Sequence, residues 1–449
     1  MAEIRSKLEL AMKAMNIPKI DKPRIVVVGC GFAGLKFCKN IDGGKYQVVL
    51  IDKRNYHTFQ PLLYQVASSG LEPDSIVYPI RKIFKGKRNF FFRMGNTEKI
   101  DPESRVVHTS IGTVNYDYLV LATGAASNFF GMKDIKRYAL PMKDVVEALN
   151  LRSKIIENFE EALNTTDLRE RQSLMNFIIV GGGPTGIELA GALAELKEHV
   201  LPNDYPDLDI RRMQISLVEA NGRVLKGMSE EASARAEKYL RKRDVNIYLQ
   251  QRVKSYDGST VRPGNFDLEA KTVIWAAGIK GKFPKGIQKD VILPGNRIAV
   301  DEFNRMKGSE DIYAIGDVAC ISSEQYPKGN AMLASVAEQQ GNQLARNFNR
   351  LSSGQKMKPF SHNDKGTMAT IGRNRAVVDL PFMKIGGIIG WYIWMFVHLM
   401  LLVDFRNRLI VFFNWAWSYI CLLYTSPSPR DLNPNRGLRV LLENGGGGG

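Results

Sequence analysis

Cysteine is scarce in this chain. Its 449 residues hold four, Cys30, Cys38, Cys320 and Cys421, and no two stand in a C-x-x-C or other metal-ligating spacing. That excludes a disulfide framework and a cysteine-built metal centre, and suits a reducing compartment. A secretory leader is not expected either. The first residues, MAEIRSKLELAMKAMNIPK, carry acids and no apolar core, and read as a short amphipathic helix rather than a signal or transit peptide. No recognised nucleic-acid module occurs, so a nucleic-acid role for the net charge of +16 has no support of its own. What remains for a chain of pI near 9.5 is a membrane surface, phosphorylated ligands, or a surface that is merely well solvated. The composition is globular, 44% hydrophobic and 24% charged, and the length implies two or three domains.

Glycine is where the chain becomes specific. RIVVVG reads as a buried strand that runs into Gly29-x-Gly31-x-x-Gly34, then a helix, then the strand QVVLID ending at Asp52 and Lys53. Gly29 permits the tight turn, Gly31 lets backbone approach a pyrophosphate, and Gly34 lets the helix lie close on the strand. The helix N-terminus offers N–H groups to phosphate, and Asp52 can accept from a ribose hydroxyl pair. The pattern recurs. FIIVGGG runs into Gly181-x-Gly183-x-x-Gly186, a helix, and the strand QISLVEA ending at Glu219, after a Pro- and Asp-rich insert. Glu219 should repel a 2′-phosphate and so favour NADH over NADPH, although Arg223 nearby tempers that inference. Further strands end in an A-T-G turn (Ala122, Thr123, Gly124), an A-A-G turn (Ala277, Gly278) and Gly316-Asp317. Singly, each could be an ordinary buried strand with a glycine turn.

In this order, the set resembles the two-dinucleotide-binding-domain flavoproteins, over about residues 23–380. The resemblance implies an α/β fold with two Rossmann-like domains, non-covalent FAD on the first and NADH on the second, with Asp317 at the flavin ribityl or phosphate region. It implies an N-terminal extension (1–22), an FAD-binding domain in two parts (23–144 and 298–380) and an NADH-binding domain (145–297). Disulfide reductases of this superfamily need a redox-active cysteine pair. Cys30 and Cys38, eight residues apart on one predicted helix, stand roughly 12 Å apart along its axis, too far to bridge. Sulfide–quinone reductases need cysteines beside the flavin, and none occurs between Cys38 and Cys320.

YHTFQPLLYQVASSG (56–70) places aromatic and apolar residues directly after the first unit. It resembles a signature of the type II NADH dehydrogenases, single-subunit enzymes that pass electrons from NADH to a membrane quinone without pumping protons. A quinone needs an apolar wall with few polar groups. Phe59, Leu62 and Leu63 would supply the wall, and Tyr64 and Gln65 the polar groups. The plainer alternative is a loop whose apolar residues cover the domain core.

Residues 381–424 are the greasiest part of the chain and hold four of its five tryptophans. Trp favours membrane–water interfaces. The first run is long enough to span a bilayer, but Lys384 and His398 interrupt it and the second run is short. Two helices lying in one leaflet, with Arg406 and Arg408 on headgroups, fit better. A buried helical hairpin and a transmembrane hairpin stay open. The Pro-rich and Gly-rich tail, 425–449, looks like translated junction sequence.

Quinone reduction needs protons. Glu188, beyond the first turn of a helix opened by Pro184, is the candidate acid; burial should raise its pKa. It matches the glutamate of the family's G-P-T-G-x-E motif, the alternative being an exposed helix acid. Lys365 matches a lysine near the family's quinone side, or is a surface lysine before a hairpin. ASVAEQQGNQLARN resembles a family helix at Gln339 and Gln340, but Ser335 stands where a quinone-contacting glutamine is usual. The reading is thus a monotopic flavoenzyme on an anionic lipid surface, facing the cytoplasm or a mitochondrial matrix, with no nucleic acid and with homodimerisation left open. Two rivals remain: a flavoprotein reductase with a protein or oxygen acceptor, and an NADH-responsive binding module.

Overall fold

The structure, a computed structural model, describes residues 13–322 and 329–421. Two compact units emerge. The first comprises residues up to Thr58, Val77–Asn128 and Gly278–Lys365; the second comprises Phe59–Ile76, Phe129–Ala277 and the residues from Gly366 onward. These bounds differ from the expected ones, and strand pairing is the reason. Leu140–Pro141 joins the second unit's sheet through Leu140 opposite Ile274. Ala125–Ser127 pairs with Ile279–Gly281 inside the first unit. The C-terminal helices form no domain of their own, but belong to the second unit.

Each unit is built on the same plan. In the first, five parallel strands lie in the order Ile312–Ala314, Tyr118–Leu121, Arg24–Val28, Gln47–Asp52, Phe90–Met94. In the second, the order is Leu140–Pro141, Thr272–Trp275, Phe177–Val180, Ile215–Val218, Val245–Tyr248. The strand that feeds the glycine turn is central in both, and both central strands are buried along nearly their whole length. Unbroken Ile and Val runs are what a strand covered on both faces requires, each buried side chain contributing roughly 2 kcal/mol. The duplication extends to single hydrogen bonds. Gly29 donates to Ile51 and Ala122 to Val28; Gly181 donates to Val218 and Ala276 to Val180, all at 2.8 Å.

Cys30 does not lie on the first glycine helix, as expected, but in the turn before it, because the helix begins at Phe32 and ends at Asn40. Cys30 and Cys38 are both buried free thiols, and burial pushes both pKa values up. Thiolate chemistry is disfavoured there.

In the second unit, a three-stranded antiparallel sheet (Thr367–Thr370, Ala376–Leu380, Met383–Gly386) leads into helices Gly387–Leu401 and Phe405–Cys421. Lys384 lies in a strand, so the first greasy run is only partly helical. No helix among the described residues is long and apolar enough to cross a membrane. Gly390, Trp394 and His398 turn inward at a spacing of four; so do Asn407 and Val411. Outward stand Ile389, Phe396, Phe413 and Trp417, each more than 60% exposed. That exposure argues against a buried hairpin. Residues 1–12 and 422–449, which include the start of the expected N-terminal helix and the tail, lie outside the described residues.

Candidate active site

Two places fit dinucleotide phosphates. The helices that begin at Phe32 and Pro184 start from Gly31 and Gly183 with no side-chain cap and no acid in the first turn. Other helices here are capped by Asp144, Asp167 and Ser229. The first-turn N–H groups of the two glycine helices, which no N-cap side chain takes, are thus placed to face an anion. A Cβ on Gly31 or Gly183 would meet nothing within 4 Å, which is the room a phosphate needs. A Cβ on Gly34 would strike the Gly29 carbonyl, and one on Gly186 the Gly181 carbonyl, so these glycines serve close packing. The adjoining turns complete each cradle. Gly29, at φ 101°, lies against Ala122 and Thr123; Gly181, at φ 114°, lies against Ala276 and Ala277. Gly124 and Gly278 both have positive φ, as glycine allows.

The two strand-end acids take the same post. Asp52 accepts from Cys30 N–H at 2.6 Å and Arg54 N–H at 2.8 Å. Glu219 accepts from Gly182 N–H at 2.6 Å and Asn221 N–H at 2.7 Å. Each acid therefore also ties its strand to its glycine turn. Burial raises the Asp52 pKa, opposed by the Arg54 and Cys30 N–H groups. Lys53 is exposed beside it. Arg223 donates to the carbonyls of Leu225, Lys226, Met228 and Ser229. Its guanidinium is thus held within its own loop.

In the first unit, Gly316 has φ 77° and donates to Gln340 Oε1 at 2.7 Å, which fixes the turn carrying Asp317. Gln340, fully buried, thus supports the turn that carries Asp317. Gln339 is likewise occupied, its amide exchanging two 2.9 Å hydrogen bonds with the backbone of Asn363. Ser335 is half-buried in the first turn of the same helix, and Lys365 is exposed.

The second unit gathers the remaining candidates. Phe59, Leu62 and Leu63 are core residues, 2%, 0% and 3% exposed, and so do not form an open wall. The polar pair is held from the last helix: Trp415 Nε1–H donates to Gln65 Oε1 at 2.8 Å, and Gln65 Nε2–H donates to Tyr64 Oη at 2.8 Å. Tyr64 meets Trp394 edge-on at 6.4 Å, and Trp394 stacks on His398 at 4.2 Å. Burial lowers the His398 pKa to about 4, so its ring is neutral. Arg408, expected on headgroups, instead donates to the Leu402 and Met400 carbonyls and caps the preceding helix.

Glu188 is buried in this unit, 7% exposed and in the second turn of its helix. Desolvation pushes its pKa up to about 8, opposed by the Thr370 backbone N–H and the Trp394 indole. The indole N–H falls short of a full hydrogen bond. A carboxyl that holds its proton near neutral pH, beside a Trp–Tyr–Gln cluster, suits proton delivery to an apolar acceptor. Sequence reasoning missed Trp394, Trp415 and Thr370. The only signal for Trp394 was its spacing of four from Gly390 and His398.

Comparison with known proteins decides the family. A model described as pyridine nucleotide-disulphide oxidoreductase matches residues 23–341, and one described as NDH2 C-terminal domain matches 365–421. The chain belongs to the type II NADH:quinone oxidoreductases. It is 31% identical over 415 residues to the type II NADH:quinone oxidoreductase NdhA of Mycobacterium tuberculosis, covering 88% of this chain and 87% of that protein. It is 31% identical to a mitochondrial internal alternative NAD(P)H-ubiquinone oxidoreductase of Arabidopsis thaliana, over 89% of this chain and 84% of that one. The fold matches NDH2 of Plasmodium falciparum in complex with NADH, with a TM-score of 0.82, 23% identity, and 89% and 98% of the two chains covered. The disulphide chemistry in the broader family's name has no cysteine pair to run on among the described residues.

Proposed function

We propose that this chain is a type II NADH dehydrogenase that oxidises NADH and reduces a membrane quinone, without proton translocation. The observation that carries the quinone half is Glu188: a buried carboxylic acid beneath Trp394 and Thr370, in the same unit as Tyr64 and Gln65. The redox chemistry belongs to FAD when bound, a two-electron carrier between a hydride donor and a quinone. The chain's own part is to bind, orient and supply protons. Gly31 and Gly183, with the uncapped helices behind them, would hold the two pyrophosphates. Asp52 and Glu219 would take the riboses, and the Gly316–Asp317 turn, held by Gln340, the flavin side. Glu188 keeps a proton on its carboxyl for the reduced quinone. Ser335 and Lys365 are further quinone-side candidates. The exposed apolar face of the two C-terminal helices would lie in one leaflet, the basic charge favouring anionic lipid, with the NADH side toward cytoplasm or matrix.

The test is NADH oxidation by FAD-loaded protein in mild detergent, with and without a short-chain quinone. A many-fold stimulation by quinone, with NADPH a poor substrate, is the expected outcome. Bleaching of the flavin by NADH with no response to quinone would refute the acceptor. Sedimentation in the same detergent reads whether a homodimer forms.

A further inference from the structure

Seven residues beyond Glu188, the same helix ends in a second buried acid. Glu195 is 5% exposed. Seven residues are about two helical turns, so the two carboxylates leave the helix on the same face. Between them stands Gly191. A Cβ there would lie 2.7 Å from the Gly372 nitrogen and 2.8 Å from the Ile371 carbonyl carbon. The helix therefore touches backbone at the tip of the hairpin joining strands Thr367–Thr370 and Ala376–Leu380. On one side of that contact, Glu188 faces the Thr370 N–H. On the other, Glu195 Oε1 accepts from the Arg373 N–H.

We propose that Glu195 is a positioning residue for Glu188: paired with Arg243, it clamps the 371–373 turn to the helix and so holds the Thr370 N–H on the Glu188 carboxyl. This rests on the reading of Glu188 as the quinone-side acid. Arg243 reaches from the segment after helix Glu230–Arg241, with Nη2 3.4 Å from Glu195 and Nη1 3.4 Å from Glu198. Gly372 is left-handed, at φ 73°, and a Cβ there would sit 2.8 Å from Glu195 Oε1 and 3.0 Å from Arg243 Nη1. The turn is thus shaped around this ion pair. Thr370 Oγ1 ties the turn to itself through the carbonyls of Gly372 and Arg375, so displacement at Arg373 is passed back to Thr370.

The charged or titratable groups around Glu195 are Arg243, Arg373 of the turn, and Glu198 and His199 of the helix's continuation. Only Thr370 and Trp394 oppose the burial of Glu188, and neither is ionised. The Gly191 contact fills the space between the two acids, so Glu195 does not pass protons to Glu188. Its action is mechanical.

The sign of the effect separates this proposal from simple electrostatics. Removing the Glu195 charge would, through space alone, ease ionisation of Glu188 and lower its pKa. Loosening the turn withdraws an N–H from the charged form and raises it. The experiment is an infrared pH titration of the carboxylic C=O band in the holoenzyme, assigned by its loss in Glu188→Gln. In Glu195→Gln the midpoint should rise by about one unit. Glu195→Asp, which keeps the charge but draws it back from Arg373, should shift it the same way and serves if the first variant fails to fold. A midpoint unmoved or lowered in the folded variants overturns the positioning role alone. A parent protein whose Glu188 band never titrates overturns the acid assignment, and this inference with it.

Discussion

Glu188 and Glu219 are both buried carboxylates of the second unit, and their surroundings differ. Glu219 receives N–H groups from Gly182 and Asn221; Glu188 has only Thr370 and Trp394 against the cost of burial. The Glu188 pKa rises from the ordinary 4.5 to about 8, so the fold holds a proton that the unfolded chain has released. Its contribution to stability is full below the unfolded value and is lost as pH rises through about 8, of order 5 kcal/mol in all. Glu188→Gln should therefore flatten the fall in the urea midpoint between pH 4.5 and about 8. The same variant should cut quinone-dependent turnover about 100-fold, and leave bleaching of the flavin by NADH intact in stopped flow. For Glu219, the Arg223 guanidinium is turned to four carbonyls of its own loop, and the carboxylate stands where a 2′-phosphate would come. Glu219→Gln keeps an acceptor for Gly182 and removes the charge. It should raise kcat/KM for NADPH relative to NADH about tenfold. The position of Glu188 was legible in the sequence, since Pro184 sets the start of its helix. Its partners were not: Thr370 and Trp394 lie far along the chain, and no local pattern connects them to it.

At the scale of elements, the glycine turns were the most legible part of the molecule. Their φ values and close approaches follow from the spacing alone, which is why both units repeat even single backbone bonds. Two of these glycines make the distinction between fold and ligand measurable. Gly186→Ala drives a Cβ into the Gly181 carbonyl and should cost roughly 1–3 kcal/mol, lowering Tm by several degrees. Gly183→Ala points into open space, so Tm should hold while KM for NADH rises about tenfold, because the added methyl takes the phosphate's room. A fall in Tm for Gly183→Ala would mean that this glycine serves the fold after all. The aromatic stretch 56–70 was less legible. Phe59, Leu62 and Leu63 are fully buried, whereas the apolar run at 387–401 exposes Ile389 and Phe396. Composition does not show which face of an all-apolar helix turns inward. The cue is the small or polar residue within it, Gly390, His398 or Asn407, which has a close contact or a hydrogen bond to satisfy.

For the whole molecule, the net charge of +16 and the exposed apolar face act over different ranges. Charge would attract the protein to anionic lipid across about a Debye length, and salt would screen that attraction. The apolar side chains act only on contact, each contributing about 2 kcal/mol when taken out of water, and salt does not weaken them. Vesicle flotation can separate the two. Binding to vesicles containing anionic lipid should exceed binding to neutral ones at low salt, and the difference should vanish in high salt while a salt-resistant fraction stays bound. Phe396→Glu with Trp417→Glu replaces two side chains that are 64% and 65% exposed, so the fold should tolerate the change. This variant should lose the salt-resistant fraction, with affinity falling at least 100-fold. Its turnover with a short-chain quinone in detergent should stay near the parent's, because both side chains face outward whereas Glu188 and Tyr64 are buried. With a long-chain quinone embedded in vesicles, turnover should fall along with binding. If the variant stays on vesicles in high salt, these two helices are not what holds the enzyme to the membrane.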